Sequence, residues 1–394
     1  MHYIIIAQFS KKQNTFYPSV KKFLLKTMKI AIIADPVDTQ NAGIHFYTSH
    51  LIDAILKLEN RNEYIFIHPK ENKFFEKTTH HIIPRIKKIP GYETYRRWIK
   101  IPALLKKLNP DIVIETSHIG PFRTPKNSKR VTIIHDLTPI IFPEFHIKNS
   151  VIVHKLALPH VFKNTDLILT PSENTKNDIL RLYKTKNNIS VIHEGITTSD
   201  MSAPLPSTHE KLKNIKQPYV LYLGTIEPRK NLEVLIDAFL DLKKNNNIPH
   251  QLVLAGGLGW KTEKILEKAA QDKENIIITD YLSDKEKASL YKHADIFVYP
   301  SLYEGFGLPP LEAMSYGIPV ICSTGGSLKE IFSNHTLMFE PKDKETLKKH
   351  ILELTKNSKS RDKLTKNGLE YSKRFTWELT AKKVLEALEK LITQ

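Results

Sequence analysis

Between residues 296 and 322 the chain reads Ile-Phe-Val-Tyr-Pro-Ser-Leu-Tyr-Glu-Gly-Phe-Gly-Leu-Pro-Pro-Leu-Glu-Ala-Met-Ser-Tyr-Gly-Ile-Pro-Val-Ile-Cys. Few folds accommodate such a run. The apolar stretch 296–299 predicts a buried strand, and Gly305 and Gly307 break it into a loop. Pro309 and Pro310 suit the first turn of a helix, where a missing N–H costs nothing. Gly317 ends that helix, and Ile318-Pro319-Val320-Ile321 begins the next strand. A glycine-rich turn from strand to helix presents free backbone N–H groups and the positive end of a helix dipole, both favourable to phosphate. Glu304 precedes the helix and Glu312 falls in its predicted first turn. The two carboxylates can face hydroxyl groups on either side of a bound phosphate, a layout that fits a nucleotide-sugar.

Strands alternate with helices along the rest of the chain, the pattern of doubly wound α/β domains. In the first half strands are expected at 29–34, 63–68, 111–115, 131–135, 166–170 and 190–193, with helices at 43–59, 102–108 and 173–183. Pro204 and Pro206 mark a polar break before the alternation restarts at Pro218, with strands at 251–255, 276–279, 295–299 and 319–322. At 394 residues the chain is long enough for two domains with separate cores. They are expected at 28–205 and 206–374, with a last helix over 375–394. Residues 1–27 carry five lysines and no acid, and read as a basic, poorly ordered extension ahead of Met28. No apolar run reaches the roughly 18 residues needed to cross a bilayer. The single cysteine, Cys322, excludes an intramolecular disulfide, fits a reducing cytoplasm and reads as core.

A second informative stretch is Leu223-Gly224-Thr225-Ile226-Glu227-Pro228-Arg229-Lys230-Asn231. Adjacent cations at the carboxyl end of a strand, over the cleft of an α/β domain, are placed to meet a diphosphate. In the first half, Val131-Thr132-Ile133-Ile134-His135-Asp136 ends another strand with titratable groups at the same edge. No Asp-x-Asp pair ends a strand and side chains supply the cations, so no metal site is expected, and no cofactor is expected either.

The 299–326 segment resembles the signature of glycosyltransferase family 4, two glutamates eight residues apart, at Pro300, Ser301, Glu304, Gly305, Phe306, Gly307, Pro309, Glu312, Ala313, Gly317, Pro319 and Val320. The resemblance runs from about residue 29 to 390. It implies the GT-B fold, two Rossmann-like domains facing each other across a cleft, with a final helix crossing back to the first domain. It also implies retaining transfer from a nucleoside-diphosphate sugar. Carried over residue by residue, Arg229 and Lys230 hold the diphosphate, Glu304 the sugar hydroxyls, Glu312 the ribose and His135 the sugar from the opposite wall. Gly43, Gly224, Gly305, Phe306, Gly307 and Leu308 complete the donor site, and Tyr281 and Leu282 sit in the loop that holds the nucleobase through backbone atoms. Where related sequences have a second glycine and an arginine, this chain has His45 and Phe46, which suggests a different acceptor fit. Within the family the chain looks most like bacterial mannosyltransferases of surface-polysaccharide assembly. GDP-mannose is the implied donor and a lipid-linked oligosaccharide such as O-antigen the implied acceptor; UDP-glucose, UDP-GlcNAc or UDP-galactose and a soluble acceptor are the alternatives.

Charge is uneven: of the net +17, +13 lies in residues 1–200. Residues 70–130 hold 15 Lys or Arg against five Asp or Glu, interleaved with Phe74, Phe75, Tyr92, Tyr95 and Trp98. Cations and interfacial rings suit an anionic membrane, so the enzyme is expected in the cytoplasm, on the inner face of the plasma membrane. The same surface would suit nucleic acid, but Glu304 and Glu312 beside the glycine loop would repel a phosphate backbone, and no nucleic acid is expected. A sugar-nucleotide epimerase of the same fold is a further alternative.

Overall fold

A computed structural model describes residues 27–39, 43–86, 88–197, 210–245 and 248–393. The basic extension and the boundary expected between 205 and 206 therefore lie outside the described residues, apart from residue 27.

The first sheet contains β1 (Lys29–Ile33), β2 (Glu63–His68), β3 (Thr79–Ile82), β4 (Ile112–Glu115), β5 (Lys129–Ile133), β6 (Leu167–Thr170) and β7 (Asn188–Val191), in the order β3-β2-β1-β4-β5-β6-β7. The second contains β8 (Tyr219–Leu223), β9 (Gln251–Ala255), β10 (Ile276–Ile278), β11 (Ile296–Tyr299), β12 (Val320–Ser323) and β13 (Leu337–Phe339), in the order β10-β9-β8-β11-β12-β13. All pairings are parallel. Strands buried on both faces read as unbroken apolar runs, which is why most were visible in the sequence. Each sheet reverses its winding between two neighbours, β1 and β4 in the first and β8 and β11 in the second. At such a switch the connections leave to opposite faces and open a crevice at the carboxyl ends of the strands. The loops after β4, β5, β8 and β11 all meet at the resulting cleft.

The helix Trp377–Thr393 returns to the first domain. Its Trp377, Ala381, Val384, Leu385, Leu388 and Leu391 join the core formed by β1, β4 and helix Gly43–Lys57. The Thr380 hydroxyl donates to the His193 carbonyl at 2.9 Å, tying down the crossing. Cys322 is buried on β12, as expected.

Several elements depart from the sequence reading. β3 and β13, four and three residues long, carry too short a pattern to stand out. Helices Lys148–Asn164, Lys344–Lys356 and Ser358–Ser372 were also unforeseen. Glu312 is the fifth residue of helix Leu308–Ser315, just past the first turn in which it was expected.

The basic surface needs a larger correction. Arg96 is fully buried: its guanidinium makes a two-pronged pair with Asp35 at 2.6 and 2.7 Å and donates from Nε to the Ile83 carbonyl. Arg130 is buried against Glu115 at 2.6 Å. Arg85 and Arg97 share Glu93, and Lys129 pairs with Asp166 at 3.7 Å. Phe75 is core. Arg96 and Arg130 are therefore internal and cannot touch a membrane, while Arg85, Arg97 and Lys129 are held in pairs nearer the surface.

Removing one partner of a buried pair leaves an uncompensated charge. Arg96→Ala should lower stability by about 3–5 kcal/mol, whereas Arg123→Ala on the surface should stay within about 0.5 kcal/mol. Urea unfolding of the two variants checks this; equal midpoints would contradict the role given to the Asp35 pair.

Candidate active site

The cleft between the sheets encloses a cavity of about 760 Å³. All thirteen residues singled out in the sequence line it: Gly43, His135, Gly224, Arg229, Lys230, Tyr281, Leu282, Glu304, Gly305, Phe306, Gly307, Leu308 and Glu312.

Its charged centre is built by two loops. After β8, the turn Pro228–Lys230 brings both cations inward, and after β11 the chain presents Glu304 to them. Glu304 Oε1 accepts from Lys230 Nζ at 2.6 Å, and Oε2 lies 3.0 Å from Arg229 NH1. Arg229 also bonds Glu227 at 2.7 Å, and Lys230 Nζ donates to the Tyr299 hydroxyl at 2.9 Å. Burial alone would raise the Glu304 pKa, but the Arg229 and Lys230 charges hold it at about 2. Burial lowers the pKa of Lys230, with Arg229 adding to the effect. Burial opposes the charge on Arg229 too, yet Glu304 and Glu227 outweigh it and raise that pKa. Each carboxylate oxygen has two lone pairs, so Glu304 can still accept from a ligand hydroxyl. Arg229 Nε has no partner among the described residues, and Lys230 has one of its three N–H bonds to spare.

Two glycines owe their identity to this loop. A Cβ on Gly305 would lie 2.0 Å from the His135 carbonyl oxygen of the facing domain. Gly307, the residue before helix Leu308–Ser315, has φ 111°, a conformation that L side chains rarely adopt. The Ser172 hydroxyl donates to the Gly305 carbonyl at 2.7 Å while also capping helix Glu173–Tyr183, so one side chain serves both a cap and a contact between domains. Beyond the helix start, Glu312 Oε2 accepts from the Tyr291 hydroxyl at 2.8 Å. Tyr281 is half exposed, and its carbonyl accepts from Lys211 at 2.8 Å, so part of that loop's backbone is already engaged.

The opposite wall is rich in histidine. His135 donates from Nε2 to the Thr116 carbonyl at 3.0 Å, and its Nδ1 lies 3.6 Å from Glu194. Nε2 is thus committed to the backbone, and Nδ1 faces the Glu194 carboxylate. Asp136 caps the following turn, accepting from the Thr138 N–H and hydroxyl at 2.8 and 2.7 Å. His118, absent from the sequence reading, accepts the His135 backbone N–H on Nε2 at 3.1 Å. Its ring is therefore neutral with the proton on Nδ1, and that N–H has no partner among the described residues. Burial pushes the His118 pKa well below the ordinary 6.5. His154 donates from Nδ1 to the Ser150 carbonyl at 2.8 Å, which turns its Nε2 away from that bond. The signal for His118 was its place just after β4, a switch strand. Nothing local marks His154.

The departure at Phe46 also has a structural counterpart. The Lys287 ammonium of the second domain sits 4.5 Å above its ring, across the cleft mouth. On the other flank Trp260 and Lys261 donate to the carbonyls of Phe145 and Glu144.

Two parallel-sheet domains with a polar cleft at their facing switch points define a GT-B transferase. The sequence matches Glycosyltransferase Family 4 over residues 43–200 and Glycosyl transferases group 1 over residues 207–391. It is 31% identical over 384 residues to O-antigen chain mannosyltransferase B of Escherichia coli, covering 92% of this chain and 100% of that one. It is 29% identical over 258 residues to O-antigen chain mannosyltransferase RfbU of Salmonella typhimurium, covering 64% and 67%. The fold superimposes on sucrose-phosphate synthase from Thermosynechococcus elongatus with a TM-score of 0.74 at 20% identity, covering 93% and 99%. It superimposes on Anabaena HepE, solved with UDP-glucose, with a TM-score of 0.70 at 16% identity, covering 92% and 100%. The chain belongs to the family 4 glycosyltransferases and is an enzyme of glycosyl transfer.

The state of His118 has a measurable consequence. Its ring stays neutral in the fold but protonates near its ordinary 6.5 once the chain unfolds. It thus adds stability above that pH, which is lost as pH falls below it. Each such ring contributes a slope of up to about 1.4 kcal/mol per pH unit. His118→Asn should flatten the fall in unfolding free energy between about pH 6.5 and 4.5 by up to that amount. Denaturant titrations at several pH values measure it, and an unchanged slope would show that His118 titrates freely.

Proposed function

We propose that this enzyme moves a hexose, mannose from GDP-mannose in the first instance, onto a lipid-linked surface polysaccharide with retention of configuration. The observation that carries the reading is the Glu304–Arg229–Lys230 cluster beside the Gly305–Gly307 turn. It supplies two fixed cations and a run of backbone N–H groups where a diphosphate would lie. The names of the Escherichia coli and Salmonella relatives support mannose and O-antigen, and the UDP-glucose complex of HepE supports a nucleotide-sugar donor in a fold of this kind.

In this mechanism Glu312 holds the ribose hydroxyls, and Glu304 receives sugar hydroxyls while keeping Arg229 and Lys230 oriented. His135 meets the sugar from the opposite wall. The bond between the anomeric carbon and the β-phosphate oxygen breaks, with its electron pair leaving on the diphosphate. The acceptor oxygen bonds to the same face of that carbon, and its proton passes to the departing phosphate. Arg229 and Lys230 stabilise the charge that develops there. No protein nucleophile is required.

The exposed part of the 70–130 surface, with Tyr95, Trp98, Ile99, Lys100 and Arg123 outward, is proposed to meet an anionic membrane on the cytoplasmic side. Lys100 lies 6.0 Å from the ring centres of both Tyr92 and Tyr95, a combination suited to headgroups. No helix among the described residues is long and apolar enough to cross a membrane.

A panel of nucleotide-sugars, scored by thermal stabilisation and by hydrolysis, tests the donor. GDP-mannose should raise the melting temperature most, and a clear preference for a UDP-sugar would replace mannose in this reading. Loss of one preorganised electrostatic donor costs about 2–4 kcal/mol in the transition state. Arg229→Lys keeps a charge beside Glu304 but loses the guanidinium fork, and Lys230→Ala removes the ammonium. Both should lower kcat by about 10²–10³-fold. Near-normal turnover of either folded variant at saturating donor would remove the diphosphate role. Because side chains supply the positive charge, activity should survive EDTA; loss that Mg²⁺ or Mn²⁺ restores would overturn the mechanism.

A further inference from the structure

Helix Lys148–Asn164 is apolar on two sides. Val151, Leu158, Val161 and Phe162 are buried on its inner side. On the outer side Leu156 is 75% exposed, Ile152 54% and Val153 50%. With 3.6 residues per turn, Ile152, Leu156 and Lys163 fall within about 40° of arc, and Val153 extends the strip toward the cleft. A soluble protein scatters single apolar residues over its surface, but a contiguous strip marks a contact surface. The strip continues onto a neighbouring element. His160 stacks on Phe122 with ring centres 3.9 Å apart, and Phe122 stacks on Trp98 at 3.9 Å. Trp98 and Ile99 are themselves half exposed.

The charge around the strip indicates what covers it. The helix contains Lys148, Lys155 and Lys163 and no acid. Lys100, Arg123 and Lys126 continue the positive charge around Trp98 and Phe122. A twofold dimer through this face would set those lysines against their own copies, which disfavours a second copy of the chain. Lysine stems flanking exposed aliphatic side chains suit an interface with apolar chains below and anionic headgroups above.

We propose that helix Lys148–Asn164 lies in the interfacial layer of an anionic bilayer, with Ile152 and Leu156 among the acyl chains and the lysines at the headgroups. The adjoining flank of the same helix, Ser150, Val153 and His154, lines the cleft. Insertion therefore brings the histidine wall to the membrane surface, where a lipid-linked sugar can enter without its lipid leaving the bilayer. The inference deepens the acceptor reading above and rests on it only for that last step, since the helix can be tested with no sugar present.

Cys322 is the chain's one cysteine and is buried, so a thiol dye on Leu156→Cys reports position 156 alone. With vesicles of phosphatidylglycerol and phosphatidylethanolamine its emission should shift to the blue. A dye on Lys359→Cys, an exposed position in the second domain, should not shift. In about 1 M salt, where the Debye length is about 3 Å, Ile152→Glu/Leu156→Glu should reduce vesicle partitioning by about tenfold or more. Hydrolysis of a soluble nucleotide-sugar should be unchanged in that variant. An unshifted dye on protein that still co-sediments with vesicles overturns insertion of this helix and leaves the basic-face reading standing. Absence of co-sedimentation overturns both, and a blue shift without vesicles in a protein sedimenting as a dimer assigns the strip to a second copy. Donor hydrolysis lost in the wild-type protein would overturn the transfer reading and leave the vesicle result intact.

Discussion

Glu304 is a full negative charge at the bottom of the cleft, where an unpaired carboxylate costs several kcal/mol, and the loops around it are arranged to meet that demand. Arg229 and Lys230 approach from the β8 loop, one on each oxygen. Glu227 steadies Arg229 from behind, and the Tyr299 hydroxyl steadies Lys230. The four charges sum to zero, so the cluster is stable without a ligand, while two N–H groups remain to be satisfied. Neutral overall but locally polarised, it can receive a dianionic group with little rearrangement. That is the sense in which an electrostatic site is preorganised.

The same loop also sets how the two domains meet. Gly305 lets the second domain touch the His135 backbone, and Ser172 fixes the contact from the first. Nearby, the Tyr303 hydroxyl bonds Asp178, and the Glu330 carboxylate accepts the Glu173 and Asn174 N–H groups at the start of helix Glu173–Tyr183. The loop carrying Glu304 and the domain seam are thus one piece of chain, separated by a residue or two. A ligand that pulls on Glu304 pulls directly on the seam.

What was legible in the sequence was local. The donor loop reads correctly because strand, glycine turn, proline-led helix and strand follow each other within some thirty residues, and each step has its own residue signature. The thirteen residues expected in the site came from this stretch, from the ends of β5 and β8 and, for Gly43, Tyr281 and Leu282, from the family resemblance. What was not legible depends on long-range partners. Arg96 looks like a surface cation among surface cations until Asp35, 61 residues away, closes on it. His118 follows a strand that carries no motif. Helix Lys148–Asn164 escaped because its outer side is apolar as well, which erases the one-sided periodicity that marks a helix on a water-facing surface. In that case the failure of the pattern is itself informative.

The two walls of the cleft differ in kind, and the difference follows from what each has to hold. The second domain presents fixed charges, suited to a diphosphate. The first presents imidazole rings: His118, held neutral, offers an N–H, and the rings of His135 and His154 each lie 5.7 Å from it. A sugar hydroxyl is both donor and acceptor, and a neutral imidazole such as His118 can meet one without adding charge to the cleft. Protonating that wall would place positive charge opposite Arg229 and Lys230. Burial keeps His118 uncharged, and the hydrogen bond from the His135 backbone requires a free lone pair on its Nε2. The carbonyl of that same His135 is the atom against which Gly305 packs. One backbone segment therefore fixes the tautomer of His118 and the closest approach of the glycine loop.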